Sequence, residues 1–552
     1  EISLGLVGSE MCIRDRQVFK NFEIISRCIF RVTRNADIAI DEGLYDHDVD
    51  FRDIMSDLVK KRKKLQPVRL EFLGKPDDSI AALIAKTLKV RDSFIFWQTA
   101  PLTMDFLSSV ERKLEKNSEL FFAPLTPQKS PAIDTKRPMI EQIKQHDIML
   151  NYPYENINQF IRLLEEAAEN PDVVSIKITL YRVARDSKII SALTRAAENG
   201  KDVLALVELR ARFDEENNIG WSKCLEDAGV TVIYGLDELK VHSKLLLITL
   251  RDGNDVSYIT QVGTGNYNER TSKLYTDLTL MTADRDFGSD ASVVFNALAV
   301  GNTVESTNKL LVAPKGLKSR IVELIDNEIT YKDKGYIGIK MNSLTDKDII
   351  EKLAEASRAG VKIELVVRGI CCLIAGVEGD TENIRVISIV GRFLEHSRIY
   401  IFGTGDRRRV YISSADFMTR NTERRVEVAA PLLDKSIADR AVEIFETMLR
   451  DNVKAREQDS DGNYYHVQPK EGEPRLNSQI YFYEQAYKAA EQAQHEEEER
   501  EQNLRERKAP KAEELAQAAA ALGAPYTVPT APNGYSQSAK PIHQVKIRRI
   551  RK

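Results

Sequence analysis

The sequence contains no apolar run that approaches the roughly 18 residues needed for a membrane-spanning helix. It also lacks an excess of charge of either sign: 80 Lys and Arg stand against 84 Asp and Glu, which gives the 552 residues a formal net charge of -4. Bulk charge therefore predicts neither a nucleic-acid partner nor an anionic membrane surface. Any anion-binding site must come from a local cluster of arginine and lysine side chains.

Cysteine is also scarce. The five cysteines have no metal-ligand spacing, and the adjacent residues Cys371 and Cys372 have a poor geometry for a mutual disulfide. This usage favours reduced thiols in a cytoplasmic protein, and no signal peptide is evident. Residues 1–16 lack an initiating methionine and resemble translated adapter read-through, so we expect a non-native segment at the start of a fragment.

The character of the chain changes near residues 146, 315 and 489. Residues 17–145 predict a mostly helical head domain of the α+β type, with one helix that begins at Ser79 as its N-cap. Residues 146–314 and 315–488 alternate strand-like with helix-like runs, which is typical of α/β lobes with a mostly parallel sheet. Residues 489–552 are charged and of low complexity, and predict a flexible tail.

The two α/β lobes carry the same landmarks in the same order. The matching pairs are SIKITLYRVARDSKIISALTRAAENGKDVLALVEL with GIKMNSLTDKDIIEKLAEASRAGVKIELVVRG, VHSKLLLI with EHSRIYIF, and GTGN at 263–266 with SSAD at 413–416. One matching element could arise by chance, but the same order over several elements could not. We infer an internal duplication of one architecture.

His242 and Lys244 lie in the run Val241–Thr249, which we predict as one strand. Residues two apart on a strand share a face, so an imidazole and an ammonium would point into one site. A neutral imidazole is a good nucleophile toward phosphorus, and a nearby ammonium neutralises the phosphoryl oxygens. Taken alone the pattern is weak, because a structural histidine beside a surface lysine has the same sequence.

Three further observations favour phosphoryl chemistry at His242. The segment Gly263–Asn266 follows on the next predicted strand, where its glycines permit close backbone approach to an anion and Asn266 can fix an imidazole or bind an oxygen. The second lobe repeats the pair as His396 and Arg398, although the chain has only seven histidines. Two histidines from two related lobes suit an in-line displacement, in which one attacks phosphorus and the other serves the leaving oxygen.

Arginines follow the predicted strand ends in both lobes, at Arg182, Arg210, Arg212 and Arg368. In open α/β sheets ligands bind beyond the carboxyl ends of the strands, and guanidinium groups suit bidentate contacts with phosphate. An ordinary salt bridge, for example with Asp214, is an equal alternative for each arginine alone. As a set around two histidines they favour phosphate binding.

Residues 146–488 resemble the catalytic half of bacterial polyphosphate kinases of the ATP-dependent type, a family related to the phospholipase D fold. The matching segments, in order, are NYPYENINQFI, IKITLYRVARDS, ELRARFDEENNI, LKVHSKLLLI, GTGNYNERTSKLYTDLTLMTAD, LLVAPKG, VVRGICCLI, FLEHSRIYIF and YISSADFMTRNTERRVEV. Residues 28–145, with FRVTRNADIAIDEG and QPVRLEFLG, resemble the head domain of that family.

The resemblance implies reversible transfer of the γ-phosphate of ATP to a growing polyphosphate chain through a phosphohistidine. It assigns the phosphorylated position to His242 and the second catalytic position, close to the nucleotide, to His396. The predicted residues for ATP and phosphate binding are Tyr275, Arg368, His396, Lys244, Asn266 and Arg398.

Arg182 and Arg212 match positions that the family assigns to its magnesium–phosphate site. A guanidinium group offers no lone pair to a metal, so we expect these arginines to hold the phosphates that in turn hold Mg²⁺. The implied cofactor is Mg²⁺, and the implied partners are ATP or ADP, inorganic polyphosphate and further copies of the chain in a homodimer or homotetramer. We expect a cytoplasmic bacterial protein without a nucleic-acid partner, and peripheral membrane association stays open.

The sequence departs from a phospholipase D-type motif at Arg398, where that motif has lysine, and at Asp416, which stands opposite Asn266. This asymmetry predicts one nucleophile and one helper rather than two equivalent half-sites. The N-terminal domain with which the family helps to hold the nucleotide base has no counterpart before residue 17. Two alternatives follow: a phospholipase D-type phosphodiesterase acting on lipid or nucleic acid, and a fragment that binds polyphosphate without turnover.

Overall fold

A computed structural model describes residues 21, 23, 26–35, 65–184, 186–209, 215–236 and 239–521. The segment 1–16 and Arg212 lie outside these residues. Within the described part of the chain, no helix is both long enough and apolar enough to cross a membrane. The chain separates into two compact units, the first ending at Lys488 and the second beginning at Ala489.

The head domain contains a three-stranded sheet with the order β1-β2-β3. Among the described residues its helices and strands are β1 (Phe30–Arg34), β2 (Pro67–Leu73), α1 (Asp78–Leu88), β3 (Ile95–Gln98) and α2 (Leu107–Leu114). Strand β2 pairs antiparallel with β1 and parallel with β3, because α1 returns the chain between β2 and β3. Leu70 and Phe72 of β2 are fully buried and form a small core with Ala81 and Ala85 of α1.

The predicted N-cap of α1 is wrong by two residues. The helix begins at Asp78, and Asp77 caps it by accepting a hydrogen bond from the backbone N–H of Ser79 at 2.9 Å. Both side chains are accepted N-cap types, and aspartate adds a negative charge at the positive end of the helix dipole.

The first lobe consists of one main sheet with helices on its faces and one short strand outside that sheet. Its strands are β4 (Ile148–Tyr152), β5 (Val173–Leu180), β6 (Asp202–Val207), β7 (Thr231–Ile233), β8 (Lys240–Val241), β9 (Leu245–Asp252), β10 (Asp255–Gly263) and β11 (Tyr275–Thr282). Its helices are α3 (Met139–Gln145), α4 (Asn158–Glu169), α5 (Lys188–Glu198), α6 (Glu215–Asp227) and α7 (Arg285–Ala299). The strand order is β11-β10-β9-β5-β6-β7, with β4 paired to β11.

The expectation of a mostly parallel sheet is wrong. Only β5, β6 and β7 run parallel within this lobe, whereas β9, β10, β11 and β4 join by antiparallel pairing. Helices separate β5, β6 and β7 along the chain, while β9 and β10 follow each other through a tight turn. A strand that returns without a crossover helix must pair antiparallel, so the sheet is mixed.

The helices and strands of the second lobe and of the residues after it begin at residue 311. The strands are β12 (Leu311–Val312), β13 (Tyr336–Met341), β14 (Lys362–Val367), β15 (Ile384–Ile389), β16 (Leu394–Glu395), β17 (Arg398–Phe402), β18 (Arg409–Ser413), β19 (Arg425–Val426), β20 (Val428–Pro431), β21 (Ala455–Gln458) and β22 (Tyr464–His466). The helices are α8 (Leu317–Tyr331), α9 (Lys347–Arg358), α10 (Thr419–Glu423), α11 (Lys435–Leu449) and α12 (Ser478–Ala521).

The predicted duplication is visible in the strand order. The second sheet runs β20-β18-β17-β13-β14-β15, which repeats β11-β10-β9-β5-β6-β7 of the first lobe element by element. The register corrects the sequence match by two residues: Leu180 pairs with Val207 as Met341 pairs with Val367, each pair at the ends of its strands. The apparent IK match would instead equate Ile178 with Met341.

Two short strands, one from each lobe, pair with strands of the opposite lobe. Strand β8 pairs with β19, with Lys240 opposite Arg425, and β16 pairs with β11, with Leu394 opposite Tyr275. A core of buried side chains continues across both lobes. His242 follows β8 directly and His396 follows β16 directly, so the docking of the two lobes sets the position of both histidines.

Candidate active site

His242 lies immediately after β8, and Lys244 lies immediately before β9. The prediction of one continuous strand over Val241–Thr249 is therefore wrong at residues 242–244. The backbone N–H groups of His242 and Ser243 both donate to the carbonyl oxygen of Val426, at 2.9 Å each. At this point the chain stops pairing with a strand of the second lobe and enters the sheet of the first lobe. Strand periodicity in the sequence could not reveal this change of partner.

The imidazole of His242 is held by a carboxylate from the second lobe. Its Nδ1 atom lies 2.9 Å from Oε1 of Glu427, which is fully buried. The same carboxylate accepts hydrogen bonds from Ser414 Oγ at 2.5 Å and from Asn421 Nδ2 at 2.7 Å, so its position is fixed. With Nδ1–H donating to Glu427, the lone pair stands on Nε2 and is available to attack an electrophile.

Burial keeps His242 neutral. It lowers the pKa of the imidazole by more than the neighbouring Glu427 raises it. Burial alone would raise the pKa of Glu427, but His242, Lys244 and Arg425 together lower it, so the carboxylate stays ionised. A neutral imidazole oriented by an ionised carboxylate is the form that a nucleophilic histidine needs.

Lys244 shares this pocket, although residues 242–244 do not lie on one strand. Its ammonium group is buried and donates to the carbonyl oxygen of His242. The ring of Tyr181 packs edge-on against the His242 ring at 4.8 Å between centroids, and Lys244 Nζ lies 5.4 Å from the centroid of the same tyrosine. Burial lowers the pKa of Lys244 to about 7, so an incoming anion would favour its charged form.

His396 has the same arrangement with the lobes exchanged. Its Nδ1 atom lies 2.8 Å from Oδ1 of Asp277, which belongs to β11 of the first lobe. Thr264 Oγ1 donates to the same carboxylate oxygen at 2.6 Å. Burial lowers the pKa of His396, and the ring of Tyr275 lies 5.3 Å away, tilted by 49°.

Sequence reasoning missed Asp277 and Glu427, the partners of the two histidines. The chain did carry a signal: Thr264 precedes Asp277 by 13 residues and Ser414 precedes Glu427 by 13 residues, and each hydroxyl donates to its carboxylate. The duplication thus places a carboxylate at the same spacing from a hydroxyl residue in both halves of the chain. The exchange of partners between lobes could not be read from either half alone.

The two half-sites differ in charge. Arg398 makes a bidentate pair with Asp416, Nε at 3.1 Å and Nη2 at 3.0 Å, and also donates to the carbonyl oxygen of Thr264 at 3.1 Å. At the matching place in the first lobe, Lys244 stands with Asn266, which brings no charge; the buried Oδ1 of Asn266 has no hydrogen-bond partner among the described residues. Arg398 is thus neutralised by its own lobe.

Of the arginines predicted to bind phosphate, Arg368 and Arg182 are described, one in each half-site, whereas Arg210 and Arg212 lie outside the described residues. Arg368 donates from Nε to the carbonyl oxygen of Glu395 at 2.8 Å, directly before His396. Arg182 lies beside Tyr181, with 5.7 Å from its guanidinium carbon to the ring centroid. The charged groups of the two half-sites interact, because Arg398 and Asp277 on the His396 side both shift the pKa of Lys244. The roles of these site residues stay predictions.

Comparison with known proteins decides the family. Family models named for polyphosphate kinase match most of the chain: the middle domain at residues 12–110, C-terminal domain 1 at 138–304 and C-terminal domain 2 at 310–479. The polyphosphate kinase of Bacillus anthracis is 44% identical over 480 residues, which are 85% of this chain and 67% of that protein. The chain belongs to the polyphosphate kinase family.

Other members agree. The polyphosphate kinase of Staphylococcus epidermidis is 43% identical over 485 residues, 86% of this chain and 65% of that protein. The crystal structure of polyphosphate kinase from Porphyromonas gingivalis superposes with a TM-score of 0.74 at 32% identity, and the match covers 88% of this chain and 70% of that one. The chain thus spans about two thirds of the length of these curated relatives.

The fold class and the enzyme class follow from this membership. The predicted architecture, two duplicated α/β lobes preceded by a head domain with both helices and strands, is confirmed by the structural match and by the repeated strand order. The chain is a kinase-type phosphotransferase. The predicted domain limits at 16, 145, 314 and 488 remain predictions.

Proposed function

We propose that this member of the polyphosphate kinase family transfers the γ-phosphoryl group of ATP to inorganic polyphosphate, reversibly, through a phosphohistidine at His242. One observation carries the assignment: Nδ1 of His242 lies 2.9 Å from the buried carboxylate of Glu427, which leaves Nε2 as the free nucleophile. His396 has an equivalent carboxylate, but the cation of its own lobe, Arg398, is already paired with Asp416.

The chemistry balances without a further reactant. In the first step the Nε2 lone pair of His242 forms the P–N bond, the bond from the γ-phosphorus to the β–γ bridging oxygen breaks, and ADP leaves with the electron pair. In the second step a terminal oxygen of polyphosphate attacks the same phosphorus, the P–N bond breaks, and the pair returns to Nε2. The Nδ1 proton remains between His242 and Glu427 throughout, which stabilises the positive charge of the phosphorylated imidazole.

His396 is the proposed helper on the side of the leaving oxygen. Its Nδ1 is bonded to Asp277, so Nε2 faces away from that carboxylate and can exchange a proton with ADP or polyphosphate. Tyr275, which packs against His396, and Arg368, which is anchored beside it, are proposed to hold the nucleotide. Lys244 and Asn266 would meet the phosphoryl group on the His242 side.

Magnesium enters this proposal as a companion of the nucleotide. Among the described residues, no group of three or more His, Cys, Asp or Glu side chains could hold a metal ion. Magnesium prefers phosphate and water oxygens together with few protein ligands, so MgATP suits such a site. Arg182 would then bind phosphate oxygens rather than the ion, and the same role for Arg212 lies outside the described residues.

Assembly and location complete the proposal. We propose a cytoplasmic enzyme that acts on ATP, ADP and polyphosphate as a homodimer or homotetramer, with peripheral membrane association left open. Light scattering of the purified chain over a range of concentrations would test the assembly. Sedimentation with vesicles of anionic lipid would test the membrane contact.

The decisive experiment follows the γ-phosphate. The wild type, incubated briefly with ATP labelled at the γ-phosphate, should take up a label that is lost in acid and retained in alkali, and added polyphosphate should remove it into polymer. His242→Ala should take up none, whereas His466→Ala, a change at an exposed histidine, should label like the wild type. If the label survives in His242→Ala and disappears in His396→Ala, the two roles are reversed; cleavage of a phosphodiester without labelled polymer would instead support the phospholipase D-type reaction.

A further inference from the structure

Arg425 occupies a position that the duplication relates to Tyr275. Tyr275 pairs with Leu394, two residues before His396, and Arg425 pairs with Lys240, two residues before His242. Arg425 therefore stands toward His242 as Tyr275 stands toward His396. One half-site has an aromatic ring at this place and the other has a guanidinium group.

The guanidinium group of Arg425 has hydrogen-bonding capacity to spare. Its side chain is 17% exposed, and its Nη1 atom lies 3.9 Å from Oε1 of Glu427, beyond hydrogen-bond distance. The oxygens of that carboxylate already accept from His242, Ser414 and Asn421. In the part of the chain that the structure describes, the Arg425 side chain makes no hydrogen bond, although a largely buried guanidinium group normally finds acceptors.

Positive charge accumulates around His242. The charges of Arg425 and Lys244 both oppose protonation of the imidazole, and Arg425 also acts on Lys244 itself. Within the described residues, Glu427 is the one carboxylate bonded to this histidine, and it is engaged at Nδ1. A phosphoryl group arriving at Nε2 would bring negative charge to these cations.

We propose that Arg425 binds the oxygens of the phosphoryl group in transit at His242, in both half-reactions, while Tyr275 on the other side serves only the nucleotide. This inference rests on the proposed function. Its chemical basis is that ADP and polyphosphate occupy the His396 side in turn, whereas the phosphoryl group next to His242 is common to both steps. A planar guanidinium group can hold two phosphoryl oxygens at once, which an ammonium group cannot do with fixed geometry.

The test separates the two half-reactions in single-turnover experiments. One measures formation of the phosphoenzyme from MgATP, and two measure its decay with ADP and with polyphosphate. Arg425→Gln should slow all three by a similar factor, about 10²–10³-fold, as expected for loss of a donor to transition-state oxygens. Arg425→Lys should recover part of the loss, and the KM for ATP should change less than kcat. Tyr275→Ala should impair only the steps with ATP or ADP, and the neighbouring exposed Arg424→Gln should behave like the wild type.

Each other outcome overturns the inference in a recognisable way. Equal labelling rates for Arg425→Gln and the wild type would show that Arg425 does not bind the phosphoryl group. A loss confined to the ATP and ADP steps would make Arg425 a nucleotide residue. A shift in the pH profile of labelling without a uniform loss would mean that it acts only on the His242–Glu427 pair. If the wild type takes no label at all, the proposed function itself fails, and the comparison of variants is not reached.

Discussion

Replacing Glu427 by glutamine should all but stop phosphorylation of His242. The carboxylate takes hydrogen bonds from three donors: His242 Nδ1 at 2.9 Å, Ser414 Oγ at 2.5 Å and Asn421 Nδ2 at 2.7 Å. Glutamine keeps one accepting oxygen and turns the other into an N–H₂ group. At least one donor then faces another donor in a fully buried position.

The size of the effect depends on which tautomer His242 adopts. If Nδ1 accepts from the new amide, its proton moves to Nε2 and the nucleophile is lost; replacing an orienting aspartate by asparagine in a serine protease costs about 10⁴-fold for this reason. If His242 keeps its tautomer, only orientation weakens, at about 10- to 100-fold. The fixed donors Ser414 and Asn421 compete for the single oxygen, so we expect a loss of about 10³-fold, or about 4 kcal/mol of activation free energy.

The assay is the single-turnover rate of acid-labile labelling from ATP, at saturating MgATP. Glu457→Gln, a change in a partly exposed ion pair with Arg385, serves as the matched control. Thermal unfolding of both variants shows whether each remains folded at the assay temperature. A folded Glu427→Gln protein that labels within about threefold of the wild type would refute the view that this carboxylate sets the nucleophile, because a threefold change amounts to only about 0.7 kcal/mol.

The titration of Lys244, a glycine beside Asp277 and the removal of Mg²⁺ each give a further test. Burial lowers the pKa of His242 to about 3 and that of Lys244 to about 7. The labelling rate should therefore stay constant between pH 7 and pH 5, where an ordinary histidine would become protonated, but kcat/KM should fall above about pH 7 because Lys244 loses its proton. A steep decline of the labelling rate near pH 6 would contradict this. In Gly265→Ala the new Cβ would lie 2.0 Å from Oδ2 of Asp277. Turnover should therefore fall at least tenfold, and the free energy of unfolding should fall by about 1–3 kcal/mol. Gly220→Ala, whose new Cβ meets nothing within 4 Å, is the control and should be neutral in both assays. Chelation of Mg²⁺ should abolish labelling yet leave the melting temperature unchanged, since the described residues contain no metal-binding cluster; a lower melting temperature would indicate a resident metal.

Local patterns in the sequence predicted individual elements well. Helix α9 (Lys347–Arg358) can be read from the sequence, because its apolar spacing, its capping Asp346 and the glycine after it all agree. The duplication was visible for a similar reason: it depends on the order of segments, not on their contacts. Such features are determined over ten or twenty residues, where propensity and periodicity act together.

The site was only half visible, because its other half comes from distant parts of the chain. Sequence reasoning singled out His242 and His396 as candidates, but their partners Glu427 and Asp277 are 185 and 119 residues away along the chain and belong to the opposite lobes. It also placed His242 within a strand, although the backbone there bonds to Val426 of the second lobe. No local pattern encodes a hydrogen bond whose acceptor is supplied by docking.

Each lobe supplies the carboxylate that binds the histidine of the other lobe, which links the duplication to the chemistry of the site. Since each imidazole is oriented by the opposite lobe, neither half can present a correctly held histidine before the two have docked. The duplication alone would produce two equal half-sites, yet the pairing of Arg398 with Asp416 cancels the cation of the second, while Lys244 and Arg425 keep the first positive. In the proposed mechanism this inequality favours His242 over His396 as the residue that carries the phosphoryl group.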